Sequence, residues 1–372
     1  MVNMNRHFLR DIADIQTGPF GSQLHKDDYV DIGTPIVTVE HLGNRVFTEQ
    51  NLPKVSDEDK ARLSKYVLKE GDIVFSRVGS VDRCSYVDAA HDGWMFSGRC
   101  LRVRPNTEVD PLYLYYFFCL EDTKQFVRNI AVGATMPSIN TKLLGEVEVA
   151  YPSQTEQQKI VALLSALDDK IEINQKINDN LQQQAQAIYA SMFVDNADPT
   201  WQQGHLSDLV TVRYGKDHKK LTDGIYPVYG SGGIMRHVER PLYDKESVLI
   251  PRKGTLNNVM YVNQPFWSVD TMFYTEMRLP NVAKFVYHFV KAKDLASMNA
   301  GSAVPSMTTD ILNAMEVAIP PASVLEEFES LVAPMYRAMQ ENDAQSNKLA
   351  DLRDTLLPKL MSGEIDVSAI QL

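Results

Sequence analysis

The chain has 372 residues, room for about two or three domains, and its composition of 44% apolar and 23% charged residues is ordinary for a globular protein. No run approaches the roughly eighteen apolar residues of a membrane helix, and the start "MVNMNRHFLRDIADI" lacks the apolar core of a secretion signal. Three cysteines, Cys84, Cys100 and Cys119, have neither metal-ligand spacing nor an even count, so the expectation is a cytoplasmic protein with reduced thiols, no metal centre and no membrane partner. The net charge of −11 argues at first sight against nucleic acid.

In chain order, residues 1–152 hold short β-branched runs such as "TPIVTV" and "GDIVFS", punctuated by Gly, Pro and Asn, with one aromatic helix candidate, "PLYLYYFFCL" from Pro111. They read as a mixed α/β domain, mostly strand. Residues 153–196, "SQTEQQKIVALLSALDDKIEINQKINDNLQQQAQAIYASMF" onward, have almost no Gly or Pro and many helix formers. A heptad frame fits them, with Ile160, Leu167, Asn174, Leu181 and Ile188 at d, and Leu164, Ile171, Asn178, Ala185 and Met192 at a. Residues 197–320 repeat the strand-rich pattern and 321–372 the helical one.

The repetition is explicit at one place. "GATMPSINTKLLGEVEVAYP" from Gly133 and "GSAVPSMTTDILNAMEVAIP" from Gly301 are identical at nine of twenty positions at a constant offset of 168. The same offset carries the heptad frame onto Phe328, Met335, Asn342, Leu349 and Leu356 at d, and Val332, Met339, Ser346, Arg353 and Leu360 at a. The polar layer Asn174 and Asn178 is thereby matched by Asn342 and Ser346. Two such helices in one chain can pair antiparallel, and amides within an apolar seam fix its register, because any slip would bury them against hydrocarbon. From Ile160 to Met192 is about 48 Å of helix, long enough for a stiff spacer. The doubled "PS" segment reads as a structural turn where each strand-rich domain ends, with Pro152 and Pro320 marking the start of each helix.

The strand-rich segments align more loosely. "GDIVFSRVGSVDRCSYV" from Gly71 answers "ESVLIPRKGTLNNVMYV" from Glu246, placing Arg77 over Arg252 and Gly79 over Gly254. Charge is unevenly shared: residues 201–320 hold 13 Lys+Arg against 11 Asp+Glu, whereas 151–200 hold 3 against 7 and 321–372 hold 4 against 9. The excess of acid is densest in the two short helical segments, although residues 1–150, with 17 Lys+Arg against 21 Asp+Glu, are also net acidic.

The order domain, heptad helix, domain, heptad helix resembles the specificity subunit of type I restriction-modification enzymes. So do "GDIVFSRVG", "PSINTKLLGEVEVAYPSQTEQQKI", the ending "LLPKLMSGEIDV" from Leu356, and "YPVYGSGGIMRHVE" with "YDKESVLIPRKGTLNNVMYVNQPFWSVDT" in the second domain. The resemblance implies an α+β fold: two mixed α/β target-recognition domains separated by two long helices in an antiparallel coiled coil, with an internal pseudo-twofold duplication. It implies that each domain reads half of a split double-stranded DNA sequence. It further implies that the helices set the gap and dock two modification (methyltransferase) subunits, and that restriction (translocase-nuclease) subunits complete the enzyme. No cofactor is then expected on this chain; S-adenosylmethionine, ATP and Mg belong to the partners. Two other readings remain open: a similar subunit of a restriction system with a fused nuclease-methyltransferase partner, and a coiled-coil scaffold whose domains bind protein or glycan.

Reading DNA needs Arg, Lys, Asn, Gln, Ser or Thr on exposed loops, and holding phosphate needs cations or bare amides. In the first domain the candidates are Ser22, Gln23, His25 and Lys26 after "TGPFG", with Arg77, Ser80 and Arg83. In the second they are Lys216, Lys219 and Lys220 beside His218, then Tyr229, Ser231 and Gly232 of the "YGSGG" loop, Arg236 and His237, and Arg252, Lys253, Thr255, Asn257 and Asn258. No catalytic group is expected. "GSGG" has no following Gly-Lys-Ser/Thr, "AIPPAS" lacks the residues that flank Pro-Pro in adenine methyltransferases, the eight histidines show no metal spacing and no carboxylate pair stands out.

Overall fold

The computed structural model describes residues 4–21, 23–43, 45–298 and 306–368, with Lys26 described by its backbone alone. The chain divides into two compact units, Met1–Ile173 with Ala344–Leu372, and Asn174–Asp343. Each unit therefore combines one strand-rich segment with part of each long helix.

In the first unit, Asn5–Phe8 pairs antiparallel with Glu148–Tyr151, bringing the two ends of the strand-rich segment together. A four-stranded antiparallel sheet follows in the order Ala13–Thr17, Cys100–Pro105, Ile73–Ser76, Cys84–Tyr86. A smaller sheet orders Tyr29–Val30, Lys54–Val55, Thr34–Val37 and Met95–Phe96, the last two strands parallel. The helix Pro111–Cys119 is capped by Asp110 and carries buried side chains from Tyr113 to Phe118. Its all-round apolarity has a reason, since it is packed between the sheet and the long helices, where Ile160, Leu164, Leu357 and Leu360 join the same core. The cysteines carry no disulfide; burial pushes the Cys100 thiol up to about 12 and the Cys119 thiol up to about 11, so both stay protonated.

The second unit repeats the plan. Gln202–His205 pairs antiparallel with Glu316–Ile319. A four-stranded antiparallel sheet orders Val210–Tyr214, Met272–Met277, Ser247–Pro251 and Met260–Val262. In the smaller sheet Tyr226–Gly230 lies between Gly233–Val238 and the parallel strand Trp267–Ser268. The aromatic helix Ala283–Lys291 packs with Ala185, Tyr189, Phe328, Val332 and Tyr336 of the long helices. The duplication thus extends to strand order and to strand direction, beyond the twenty residues where it is visible as identity.

The first long helix, Gln154–Ala190, opens on a capping box: the Ser153 hydroxyl caps the Glu156 amide at 3.4 Å, and the Glu156 carboxylate accepts from the Ser153 amide at 3.2 Å. The second, Ala322–Met361, starts after Pro320-Pro321. Every a and d residue of the heptad frame within these helices is buried or half-buried, and in each unit the two helices run antiparallel. In the second unit the amides meet. Asn342 Nδ2 donates to Asn178 Oδ1 at 2.8 Å, Asn178 Nδ2 donates to Asp343 Oδ1 at 2.8 Å, and Asn174 Nδ2 donates to the Asn342 carbonyl at 3.3 Å. Ser346 lies half-buried in the first unit.

The sixth residue of each aromatic helix is a buried polar side chain that ties it to the long helices, and in the second unit buried Lys284 adds a further tie, donating to Glu329 at 2.6 Å. In the first unit the Tyr116 hydroxyl donates to Asp168 at 2.7 Å, and Arg353 Nη1 donates to the other carboxylate oxygen at 2.6 Å. In the second, His288 Nδ1 meets Gln186 Oε1 at 2.8 Å and Nε2 meets the Tyr336 hydroxyl at 2.9 Å. Asp168 and Tyr336 are again 168 apart. His288 is fully buried, and burial, aided by Lys291, drives its pKa down from 6.5 to about 4. Its ring therefore stays neutral in the folded chain down to about pH 4. Between pH 6.5 and 4 the unfolded chain binds a proton that the folded chain does not, so stability falls as pH falls through this window. We expect a loss of up to about 3 kcal/mol, and His288→Gln should flatten that part of the stability profile measured by urea unfolding.

Candidate nucleic-acid interface

One of the two inner strands of each four-stranded antiparallel sheet leads into an arginine. In the first unit Ile73–Ser76 leads into Arg77, and the chain turns back through Gly79 (φ +75°), closed by Arg83 N–H on Ser80 O at 3.0 Å. In the second, Ser247–Pro251 leads into Arg252 and turns through Gly254 (φ +83°), closed by Asn258 N–H on Thr255 O at 3.0 Å. A positive φ of this kind is open to glycine at little cost, which accounts for the two aligned glycines.

The side chains above these turns are held alike. Arg77 Nη1 donates to Gly98 O at 3.1 Å and its guanidinium lies 5.6 Å from the centre of the Phe20 ring. Arg252 Nη1 donates to Asp270 O at 3.3 Å, and its guanidinium lies 5.4 Å from the Tyr214 ring. Both rings are exposed, Phe20 at 54% and Tyr214 at 52%. The doubled "PS" segment props the turn from beneath: Ile139 N–H bonds Arg77 O and Met307 N–H bonds Arg252 O, each at 2.9 Å, and Ser138 and Ser306 bridge Val78 and Lys253. The repeat is thus a buttress for the arginine turn as well as the end of a domain. Its other second-domain residues, 301–305, lie outside the described residues.

Around Arg252 the structure gathers several of the expected residues. Lys253 and Thr255 are exposed on the turn, and Ser231 of the "GSGG" loop packs beside Gly254. Lys216, exposed, follows Tyr214 and is fixed by its amide on Ser268 O at 2.8 Å. Gly232 and His237 are exposed, as are Lys219 and Lys220 further along the loop. In the first unit Ser80 and His25 are exposed, while Gln23 is half-buried, its Oε1 accepting from the Tyr66 hydroxyl at 2.7 Å. Ser22 and the Lys26 side chain lie outside the described residues.

Other expected residues have partners within the chain. Tyr229 belongs to the core, edge-on to Phe266, with its hydroxyl accepting from Gln264 at 3.3 Å. Arg236 ties its hairpin to the preceding loop through Leu221 O at 2.8 Å and Asp223 at 3.0 Å. Asn257 bonds Asp294 at 3.1 Å. Arg83 donates to Leu42 O, and Asn258 donates to Ser231 O at 2.8 Å. These last two occupy the same aligned position and do the same work, binding the arginine turn to the loop beyond the smaller sheet. Phe20 and Tyr214 escaped sequence reading, because an aromatic at or just beyond the end of a strand looks like core until its exposure is known.

Sheets, helices and turns so duplicated define a protein with two like recognition modules, and the model of the family described as "Type I restriction modification DNA specificity domain" matches residues 1–183 and 199–327. The chain belongs to this family and is a specificity subunit of a type I restriction-modification system. It is 24% identical over 408 residues to the type I restriction enzyme MjaIX specificity subunit of Methanocaldococcus jannaschii, covering 97% of this chain and 93% of that one. It is 21% identical to the HindI specificity subunit of Haemophilus influenzae, over 83% of this chain and 89% of that one. The crystal structure of a type I restriction-modification S subunit from M. genitalium shares the fold, with a TM-score of 0.61 at 18% identity, covering 96% of both chains.

The turn glycine offers a direct probe of this corner. A Cβ on Gly254 would stand 2.5 Å from Ser231 Oγ at a φ of +83°. Gly254→Ala should therefore cost about 1 kcal/mol or more in unfolding experiments and displace Arg252 and Lys253, while Gly232→Ala, with nothing near its Cβ, should leave stability unchanged within error.

Proposed function

We propose that this chain recognises a bipartite double-stranded DNA target, one half-site for residues 1–152 and one for residues 197–320. The observation that supports this most is the pair of arginine turns: each module offers the same half-buried cation at the end of the same inner strand, as two separate DNA contacts would require. The acidic helical segments, 153–196 and 321–372, suit a protein partner better than DNA, and a duplicated chain offers two equivalent docking surfaces to two modification subunits. Restriction subunits complete the assembly. The chain itself recognises and does not catalyse; adenine methylation and cleavage, with S-adenosylmethionine, ATP and Mg, belong to the partner subunits.

The unread gap between half-sites is in this proposal set by the length of the two helices, 37 and 40 residues. Removing one heptad from each, Asn174 to Asn180 together with Asn342 to Lys348, should shorten the gap and leave both half-sites unchanged. Exchanging residues 1–152 for the corresponding domain of another family member should alter one half-site alone. Both outcomes are read by single-molecule methylome sequencing of cells expressing the subunit with its modification partner. A continuous methylated motif, or a change in both halves after a single exchange, would refute the bipartite reading.

A further inference from the structure

We propose a division of labour inside each module: Arg77 and Arg252 grip the phosphate backbone identically in the two half-sites, and the bases are read by the neighbouring residues that differ between the modules. The proposal rests on the DNA-reading function above and assigns the roles within it.

The internal duplication serves as a control. Two modules that read different sequences cannot tell them apart with a group that is the same in both. The arginine turn is the same in residue and in backbone support, and in each module the guanidinium bonds a main-chain carbonyl and lies near an aromatic ring, Phe20 two residues after Gly18 in one and Tyr214 one residue before Gly215 in the other. What it touches must then be common to both half-sites, and the phosphate backbone is common to all duplex DNA.

The chemistry of the corner agrees. A guanidinium has five N–H donors in a rigid fork. In each module one nitrogen, Nη1, is bonded to a main-chain carbonyl, and one face lies near an exposed ring. Among the described residues neither arginine has a carboxylate within ion-pair distance, in contrast to Arg45, Arg104, Arg128 and Arg353. The positive charge is thus held in place without being neutralised, with donors left over for a bidentate acceptor such as phosphate. A half-exposed Phe20 or Tyr214 adds little to the core, but it limits the rotamers of the arginine above it.

The surroundings differ where base reading requires difference. In the first module Gln23 and His25 lie in the segment that follows Phe20; in the second Lys216 follows Tyr214 and Lys253 follows Arg252, and the hairpin strand Gly233–Val238 has Ile234, Met235 and His237 exposed.

The test uses the subunit assembled with its modification partner. Arg77→Gln and Arg252→Gln, made singly, are titrated against cognate and scrambled duplexes over a salt series, and the methylated motif of each is sequenced. Each variant should bind both duplexes about tenfold more weakly, lower the slope of log K against log salt by about 0.9, and keep every base of the motif. The Lys variants should recover most of the salt slope, and they carry the test if a Gln variant melts early. A motif relaxed at one position would make the arginine a base reader, and unchanged affinity and slope would make it purely structural; either result overturns the proposal. Sequence-independent binding by the unaltered complex would instead sink the recognition function itself.

Discussion

A polar group taken out of water must find partners inside, and in this protein that demand fixes how each recognition module meets its helices. Tyr116 in one module and His288 in the other stand at the sixth position of an aromatic helix, buried among rings. Neither can be satisfied by its own module. The partners come from the long helices: Asp168, itself held by Arg353, for Tyr116, and Gln186 and Tyr336 for His288. Apolar burial alone would tolerate sliding of the helix along the seam. A hydrogen bond to one named atom does not.

That anchorage has consequences at the other end of each module. The aromatic helix lies against the large sheet, where Phe75 and Phe118 meet edge to face with centroids 4.7 Å apart. Phe75 sits in the strand that delivers Arg77 at its end, so the tie to the long helices and the arginine turn are separated by a few packed side chains. A site carried on a strand end, with its glycine turn bonded to the "PS" segment, is placed more tightly than one on a free loop. Here the strand supplies the position and the turn supplies the exposure.

Much of this could be read in the residues. The 168-residue offset gave the duplication, the heptad frame gave the seam, and Pro152 and Pro320 marked the start of each long helix. Aligning "SRVG" with "PRKG" paired the arginines correctly. What could not be read is which polar residues bond within the chain. Arg83, Asn257 and Asn258 have the composition of DNA contacts, but each lies where a loop carbonyl or carboxylate needs a donor, and only tertiary geometry shows that need. Tyr229 failed for the related reason that its strand is the middle one of three, so its side chain has a layer to fill. Proximity to Gly and Ser in sequence carried no information about that layer.

The duplication also separates scaffold from specificity without a second protein for comparison. Arg83 and Asn258 share a position and a task while differing in type, so the task of tying two loops together constrains geometry more than chemistry. Arg77 and Arg252 share position, task and type. Identity retained where the surrounding loops have diverged implies a demand on the guanidinium itself, and the main-chain carbonyl it bonds does not make that demand, since the amide of a glutamine or asparagine could also donate to it. An unneutralised cation at the exposed end of each sheet is better explained by something outside the chain that is the same at both places.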